Sequence, residues 1–328
     1  MKALVTGGAG YIGSHMVRVL LEAGHDVVVL DDLSTGYRDA VDSRARFVEG
    51  DSARTDDVHA LLRDEKIEAV LHFAAKIRVE ESVSNPRFYW QRNTVATLAL
   101  LDAVVDAKLP FVFSSTAAVY GTPIRVPIDE DHPKDPVNPY GDTKLAVEKA
   151  LAAFGAAHGL PWVALRYFNA AGAEPSAGLG ERHDPETHLL PIVLEAALGT
   201  RKSLSINGTD WETPDGTCVR DYIHVMDLAD AHLAALEHLR KNGAGASGAF
   251  NLGTGQGRSI REVIESAKRV TKREIPVVEG PRRAGDPAAL VAKVDRAAKI
   301  LGWKAKRSAI DAIVADAWAF KVRNEGKS

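Results

Sequence analysis

Short apolar runs alternate with amphipathic segments through the first half of the chain. The apolar runs predict strands at Ala3–Thr6, Asp26–Leu30, Arg46–Val48, Ala69–Phe73, Phe111–Ser115 and Trp162–Arg166. Between them, Ile12–Ala23 and Asp57–Leu62 carry apolar residues at helical spacing. Short strands that alternate with helices are typical of a parallel sheet with helices on both faces.

The pattern changes beyond about Asn169. Ala171–Leu189 is rich in glycine, proline and charged residues, and we expect a long functional loop there because structured segments follow it. After Gly243 come a strand-like run, Ala249–Leu252, and two helical patterns, Ile260–Thr271 and one near Ala309–Val322.

We therefore predict an α/β protein built on a Rossmann-type, doubly wound parallel sheet. Residues 1–170 are expected to form an NAD-binding domain, and residues 171–328 a smaller C-terminal lobe that mainly binds substrate. Part of 218–252 is expected to return to the first domain.

Composition excludes several classes of function. The 328 residues are 45% hydrophobic and 26% charged, as in ordinary soluble proteins. A formal charge of −3 gives no electrostatic basis for binding nucleic acid or an anionic membrane. The single cysteine, Cys218, rules out an internal disulfide. Since the sequence opens on a strand-like run and has no long apolar segment, we expect a cytoplasmic protein with no signal peptide.

A glycine-rich segment, Thr6–Gly13, stands where the first strand should end and the first helix begin. Gly7, Gly10 and Gly13 have the spacing of a turn that lets a pyrophosphate approach the N-terminus of a helix. The spacing alone is weak evidence, but the order strand, turn, helix and second strand supports it. We interpret the segment as a dinucleotide site.

The predicted second strand leads into Asp31 and Asp32. An acid there accepts hydrogen bonds from the adenosine ribose and repels a 2′-phosphate, which favours NAD over NADP. Asp51 could contact the adenine edge, although an acidic loop residue is more often solvated. Ala74 and Ala75 offer the small side chains that a dinucleotide lying across strand ends requires.

Tyr140 and Lys144 stand one helical turn apart, so their side chains can meet on one face of a helix. A lysine charge beside a phenol favours the phenolate, and we expect it to lower the pKa of Tyr140 and make it a general acid/base. Thr116 ends a predicted strand in a run of three hydroxyls that should face the ligand crevice. Its alternative role is to satisfy backbone groups in a turn.

Glycine turn, hydroxyl and Tyr-x-x-x-Lys in this order resemble the extended short-chain dehydrogenase/reductase family, and within it the UDP-hexose 4-epimerases. The segments that carry the resemblance span nearly the whole chain and are Thr6–Gly13, His72–Ala75, Ser114–Gly121, Pro139–Lys144, Arg166–Asn169, Val219–Val225 and Pro281–Asp286. The resemblance implies reversible 4-epimerisation of UDP-glucose and UDP-galactose through a 4-keto intermediate, with tightly bound NAD and a homodimer.

The resemblance also implies roles for individual residues. Tyr140 is implied as the base, Lys144 as the residue that holds the nicotinamide ribose, and Thr116 as the residue that orients the sugar. Further cofactor contacts are implied for Tyr11, Ile12, Ser52, Phe73, Lys76, Asn93, Ser114 and Tyr167. Substrate contacts are implied for Asn169, His188, Leu189, Arg220, Tyr222, Arg283 and Asp286.

The sequence departs from the family at a few positions. Many relatives have a lysine over the cofactor phosphates where Ile77 stands here, and Lys76 either replaces it or is a surface lysine. Leu290 occupies a position that gates N-acetylated sugars in the family, and its bulk argues against them. Related dehydratases and decarboxylases have acids just after the catalytic hydroxyl, where Ala117 and Ala118 cannot move protons.

Two alternatives remain open at this point. One is a 4-epimerase of another UDP-sugar, either a UDP-pentose or a UDP-uronate, and the other is a non-catalytic NAD-binding regulator on the same fold. We expect no metal site, because the eleven histidines show no convincing ligand spacing with acidic partners. His183 and His188 are expected at the solvent or substrate rim.

Overall fold

The computed structural model describes residues 1–283 and 285–325. Ala284, in the Pro281–Asp286 segment, and residues 326–328, at the end of the predicted C-terminal lobe, lie outside the described residues.

The described chain alternates strands and helices up to the start of the C-terminal lobe. Its strands are β1 (Lys2–Thr6), β2 (Asp26–Asp31), β3 (Arg46–Glu49), β4 (Ala69–His72), β5 (Phe111–Thr116), β6 (Trp162–Tyr167), β7 (Asn169–Ala171), β8 (Ala173–Glu174), β9 (Leu179–Gly180), β10 (Leu204–Asn207), β11 (Val219–His224), β12 (Gly248–Leu252), β13 (Gly257–Ser259), β14 (Val277–Gly280) and β15 (Ala289–Leu290). Its α-helices are α1 (Tyr11–Glu22), α2 (Thr55–Asp64), α3 (Val79–Ser84), α4 (Pro86–Tyr89), α5 (Ala96–Ala107), α6 (Pro139–His158), α7 (Leu189–Leu198), α8 (Val225–Asn242), α9 (Ile260–Thr271), α10 (Asp295–Ile300) and α11 (Ile310–Glu325). A π-helical segment, Trp90–Val95, joins α4 to α5.

A parallel sheet in the order β12-β6-β5-β4-β1-β2-β3 forms the centre of the molecule. Its strands are mostly buried, because helices cover both faces: α1 and α8 on one, and α2, α5 and α6 on the other. The strand order switches between β1 and β4: β2 and β3 extend the sheet on one side of β1, whereas β4, β5 and β6 extend it on the other. In open α/β sheets such a switch point opens a ligand crevice at the carboxyl ends of the strands. The predicted Rossmann-type sheet is confirmed.

The strand β12 comes from far along the chain and pairs with β6 at the edge of the sheet. The helix that precedes it, α8, packs against α1. A segment beyond residue 218 thus lies in the central sheet, next to residues of the predicted first domain.

The rest of the C-terminal half forms a lobe with its own apolar core. Buried side chains of α7, α9 and α11 pack together there, among them Val193, Val263 and Ile313. Short strands border this core: β10 pairs with β14, and β11 pairs with β7, β13 and β15. None of the helices in residues 1–283 and 285–325 is both long enough and apolar enough to cross a membrane.

Candidate active site

A cleft of about 1290 Å3 runs over the carboxyl ends of the central strands and under the C-terminal lobe. It exceeds the ~300–1,000 Å3 of ordinary small-molecule pockets, and so has room for more than one ligand. The predicted site residues that line it are Gly7, Gly10, Tyr11, Ile12, Gly13, Asp31, Asp32, Asp51, Ser52, Phe73, Ala74, Ala75, Lys76, Ser114, Thr116, Tyr140, Lys144, Tyr167, Asn169, His188, Leu189, Arg220, Tyr222, Arg283 and Asp286. Asn93 lies behind the wall, where its side chain accepts a hydrogen bond from the Lys76 amide at 2.7 Å and donates to the Lys76 carbonyl.

The glycine turn forms a tight cradle at one end of the cleft. Gly7 has a φ of +73°, and a Cβ there would lie 2.5 Å from the Ala74 amide nitrogen. Helix α1 begins directly after Gly10, and no side chain in the described part of the chain caps its first amides. Free amides at a helix N-terminus, with bare backbone in front of them, fit the pyrophosphate of a dinucleotide.

Gly13→Ala should abolish NAD retention, because the new Cβ would lie 2.1 Å from the Gly7 carbonyl oxygen and force the turn apart. We expect at least a tenfold loss of co-purifying NAD, which corresponds to a loss of roughly 1.4 kcal/mol or more in the free energy of NAD binding. The NAD released by denaturing the purified protein measures this. Gly245→Ala is the matched control, since a Cβ at Gly245 meets no described atom within 4 Å. Equal NAD contents in the two variants would contradict the role of the turn.

The acids expected at the adenosine end are held in different ways. Asp31 accepts hydrogen bonds from the Ala9 and Leu33 amides at 2.9 Å each, which ties the end of β2 to the glycine turn. Asp32 and Asp51 both pair with Arg92, at 2.5 and 2.9 Å. Burial raises the pKa of Asp31, partly offset by its amide donors.

Lys76 lies in the wall of the cleft, near the acids at the expected adenosine end. Its ammonium donates to the Ser34 hydroxyl at 3.0 Å, and burial lowers its pKa. Ile77, the position of the lysine in many relatives, also lines the cleft and is 39% exposed.

The strand β5 and the helix α6 bring the predicted catalytic residues together at the centre of the cleft. Thr116 is the last residue of β5; its hydroxyl accepts a hydrogen bond from the Ala118 amide at 3.1 Å and lies close enough to Tyr140 to oppose the rise in the pKa of that phenol. The backbone role considered for Thr116 is therefore present, and its role toward the substrate stays a prediction. Lys144 is buried and donates to the Ser114 carbonyl at 3.0 Å, while the Ser114 hydroxyl is hydrogen-bonded to Tyr167.

The expectation that Lys144 lowers the pKa of Tyr140 is wrong for the protein alone. Burial raises the pKa of Tyr140 to about 12, and the neighbouring Thr116 hydroxyl only partly opposes it. Burial also lowers the pKa of Lys144 to about 7, against the pull of Glu148, which weakens the lysine charge near neutrality. The sequence showed the shared helix face but not the loss of water around both groups.

A buried ion pair lies next to the predicted catalytic residues. Arg166 on β6 and Glu148 on α6 are 2.5 Å apart, and both side chains are about 95% buried. Glu148 also accepts from the Ser115 hydroxyl at 2.5 Å, and Arg166 donates to the Tyr120 hydroxyl at 2.9 Å. The pair therefore fixes α6 against the end of β5.

The C-terminal lobe supplies the opposite wall of the cleft. Asn169 and Tyr222 are register partners in the β7–β11 pair, which places them side by side. Arg220 donates to the Pro287 carbonyl at 3.0 Å and lies 3.8 Å from Asp286. Arg283 reaches across to Glu80 on α3 at 3.3 Å, so it spans the mouth of the cleft.

Sequence reasoning missed two polar residues of this site. Glu148 continues the helical spacing of Tyr140 and Lys144 by four residues, and that signal could have found it. Arg92 belongs to no short motif, and only the fold brings it to Asp32 and Asp51.

Comparison with known proteins agrees with this geometry. The profile of the NAD dependent epimerase/dehydratase family matches residues 3–253. A UDP-glucose 4-epimerase of Lactobacillus helveticus is 51% identical over 97% of this chain and 96% of its own. A crystal structure of UDP-glucose 4-epimerase from Brucella ovis in complex with NAD has a TM-score of 0.93, with 48% identity over 97% of each chain. A Bifidobacterium longum UDP-glucose 4-epimerase in complex with NAD+ and UDP has a TM-score of 0.93, with 37% identity over 100% of both chains. The chain therefore belongs to the NAD dependent epimerase/dehydratase family.

Proposed function

We propose that the protein interconverts UDP-glucose and UDP-galactose by reversible epimerisation at C4 of the sugar, with NAD retained between turnovers. The observation that carries this proposal is the pair of neighbouring hydroxyls, Thr116 and Tyr140, in a cleft that also holds the dinucleotide cradle. Ala117 and Ala118 line the cleft beside them and offer no second acid for an elimination.

Tyr140 moves the proton of the sugar 4-hydroxyl, and Thr116 shares the hydrogen bonding of that hydroxyl. When NAD⁺ is bound in this cleft, its nicotinamide ring would accept and return the hydride of C4 and would bring a positive charge close to Tyr140. A positive charge favours a phenolate, which counters the effect of burial on the pKa of Tyr140. Lys144, held by the Ser114 carbonyl, is placed to bind the cofactor ribose.

The C-terminal wall is suited to holding the nucleotide firmly while the 4-keto sugar rotates in the cleft. Arg220 and Arg283 supply guanidinium groups, whose planar forks match phosphate oxygens, and Asn169 and Asp286 supply polar contacts for uridine. The 4-keto sugar must expose both faces in turn, so tight binding belongs to the UDP group and loose binding to the sugar. Leu290 narrows the sugar end and disfavours N-acetylated substrates.

The direct test is to incubate purified protein with UDP-galactose and no added NAD, and to separate the products. Formation of UDP-glucose is expected, since the cofactor is regenerated in each cycle. A parallel panel of UDP-pentoses and UDP-uronates measures specificity. If one of these sugars were converted faster than UDP-galactose, that sugar would be assigned as the substrate instead of a UDP-hexose. Absence of turnover with every sugar, in protein shown to contain NAD, would instead favour a regulator.

We also propose a homodimer, built on the helices from α3 to the start of α5. Val83, Trp90 and Val95 expose 62%, 41% and 60% of their surfaces along this run, and apolar side chains grouped in this way are typical of an interface between copies. A reducing, cytoplasmic location is proposed from the single cysteine, Cys218, whose pKa is raised by burial and whose thiol is therefore unreactive.

Light scattering should give twice the 35.3 kDa chain mass for the unaltered protein. Val95→Asp should shift the mass toward that of one chain, because a carboxylate buried at an apolar interface loses its hydration. Val278→Asp is the control, since Val278 is 54% exposed on β14 in the other lobe and should leave the dimer intact. A single-chain mass for the unaltered protein would exclude the dimer.

A further inference from the structure

Four potential metal ligands meet on the segment between β9 and α7. Glu181, His183, Glu186 and His188 each point one ligand atom into a common space, and these atoms lie within 4.8 Å of one another. The two carboxylates are buried, with only 7% and 6% of their side chains exposed, whereas His188 is 45% exposed at the rim of the cleft. The sequence predicted no metal here because the spacing of the two histidines is not that of a usual ligand pair; the fold adds the two glutamates.

The two separations around His183 are close to those around a tetrahedral ion, whereas His188 and Glu181 are in direct hydrogen-bond contact. His183 Nδ1 lies 3.3 Å from Glu181 Oε1 and 3.6 Å from Glu186 Oε2, and His188 Nδ1 contacts Glu181 Oε1. Ligands about 2.0–2.1 Å from a zinc ion are about 3.3–3.4 Å apart along a tetrahedron edge. His183 Nδ1 is fully buried, yet it has no partner in hydrogen-bond geometry within the described chain. A buried nitrogen that faces two carboxylate oxygens without bonding to them is suited to an ion placed between the three.

The surrounding backbone orients the ligands. Glu186 Oε1 accepts hydrogen bonds from the Thr187 and His188 amides at 2.8 and 2.9 Å, which leaves Oε2 directed at His183. Outer hydrogen bonds of this kind orient carboxylate ligands in known metal sites. The two carboxylates already pair with the imidazoles and, against the effect of burial, raise the pKa of both histidines, so a bound ion would replace protonated histidines as their counter-charge.

We propose that Glu181, His183, Glu186 and His188 bind one divalent transition-metal ion per chain, for which zinc is the best match. Two imidazoles and two carboxylates suit zinc better than magnesium, which prefers six oxygen ligands. Because the protein supplies all four ligands, the ion has a structural role and no open position for catalysis.

The position of the cluster defines what the ion would stabilise. His188 and Leu189 border the cleft, and α7 begins at Leu189, so the ion would fix the segment that enters this helix. Next to the cluster, Arg182 lies over the Tyr37 ring at 4.1 Å and pairs with Asp39, which ties the same segment to the adenosine end. The ion would therefore hold one wall of the nucleotide cleft in place.

Zinc content tests the proposal without any reference to activity. Untagged protein, stripped with EDTA, incubated with zinc and passed through a gel-filtration column, should retain about one zinc per chain by mass spectrometry, as four protein ligands imply. His183→Gln and Glu186→Gln should each lower zinc affinity at least tenfold, roughly what loss of a supporting residue alone costs. Asp184→Asn, which removes an exposed carboxylate from the same segment, should retain zinc.

A second measurement uses the unaltered protein alone. Zinc at saturating concentration should raise the melting temperature by a few degrees over the EDTA-treated protein, because the ion binds only the folded chain. The NAD content of each variant shows that its cofactor domain is folded. Equal zinc in the unaltered protein and in His183→Gln would mean adventitious surface binding and would overturn the proposal. Equal stabilisation by magnesium and zinc would overturn it as well.

Discussion

Tyr140→Phe should keep NAD and UDP bound but lower kcat by roughly 10²–10⁴, the range that a positioned proton-transfer group contributes. The ring on α6 still fills its buried place, while the hydroxyl next to Thr116 is lost. The rate of UDP-glucose formation from UDP-galactose measures the loss. The NAD content and the UDP affinity of the variant, measured separately, show whether binding is preserved.

Tyr89→Phe is the matched control for this experiment. Tyr89 is fully buried on α4 and also carries a hydrogen-bonded hydroxyl, which donates to Glu81 at 3.0 Å. Its loss should change kcat by less than about threefold, because the residue lies outside the cleft and moves no proton. Near-normal turnover in Tyr140→Phe would show that another group moves the proton and would refute the proposed mechanism.

Arg166→Met should lower the free energy of unfolding by about 3–5 kcal/mol, because it leaves the buried Glu148 carboxylate without its partner. Methionine keeps much of the side-chain volume, so the loss reports mainly on charge and hydrogen bonding. Urea unfolding followed by fluorescence measures it. We also expect lower turnover, since Glu148 holds the Ser115 hydroxyl beside Thr116.

An exposed ion pair provides the comparison. Arg258 and Glu262 are 3.3 Å apart on the protein surface, with 38% and 50% of their side chains exposed. Arg258→Met should change stability by at most ~0.5 kcal/mol, since water already screens this pair. If the two arginine variants were equally stable, the buried pair would have no special structural role.

The central fold could be predicted from the sequence because the signals are local. Apolar runs with polar boundaries located the strands of the first half to within a residue or two, and Ile260–Thr271 matches α9 at both ends. The glycine turn is local in sequence, and so is the Tyr140–Lys144 pair; their spacing, taken together with the order of elements around them, indicated which chemistry to expect. The relatives support the epimerase function predicted from them.

What could not be predicted depends on contacts between distant segments. Arg92 contacts Asp32, which lies 60 residues earlier in the chain. The buried Arg166 on β6 pairs with Glu148 on α6. The pKa of Tyr140 depends on how much water the finished fold leaves around it, which no spacing rule contains. The four residues of the proposed metal site are close in sequence, but only the folded conformation of their segment brings the four ligand atoms within 4.8 Å of one another.

The late position of β12 has a consequence for how the protein is made on the ribosome. Until about residue 252 has emerged, the edge of β6 has no neighbour, and the Tyr120 hydroxyl lacks Asn251, to which it donates at 2.6 Å. A nascent chain of 170 residues therefore carries an open β edge, which is a template for aggregation. Complete folding of the cofactor-binding half must therefore wait until about three quarters of the chain has been translated.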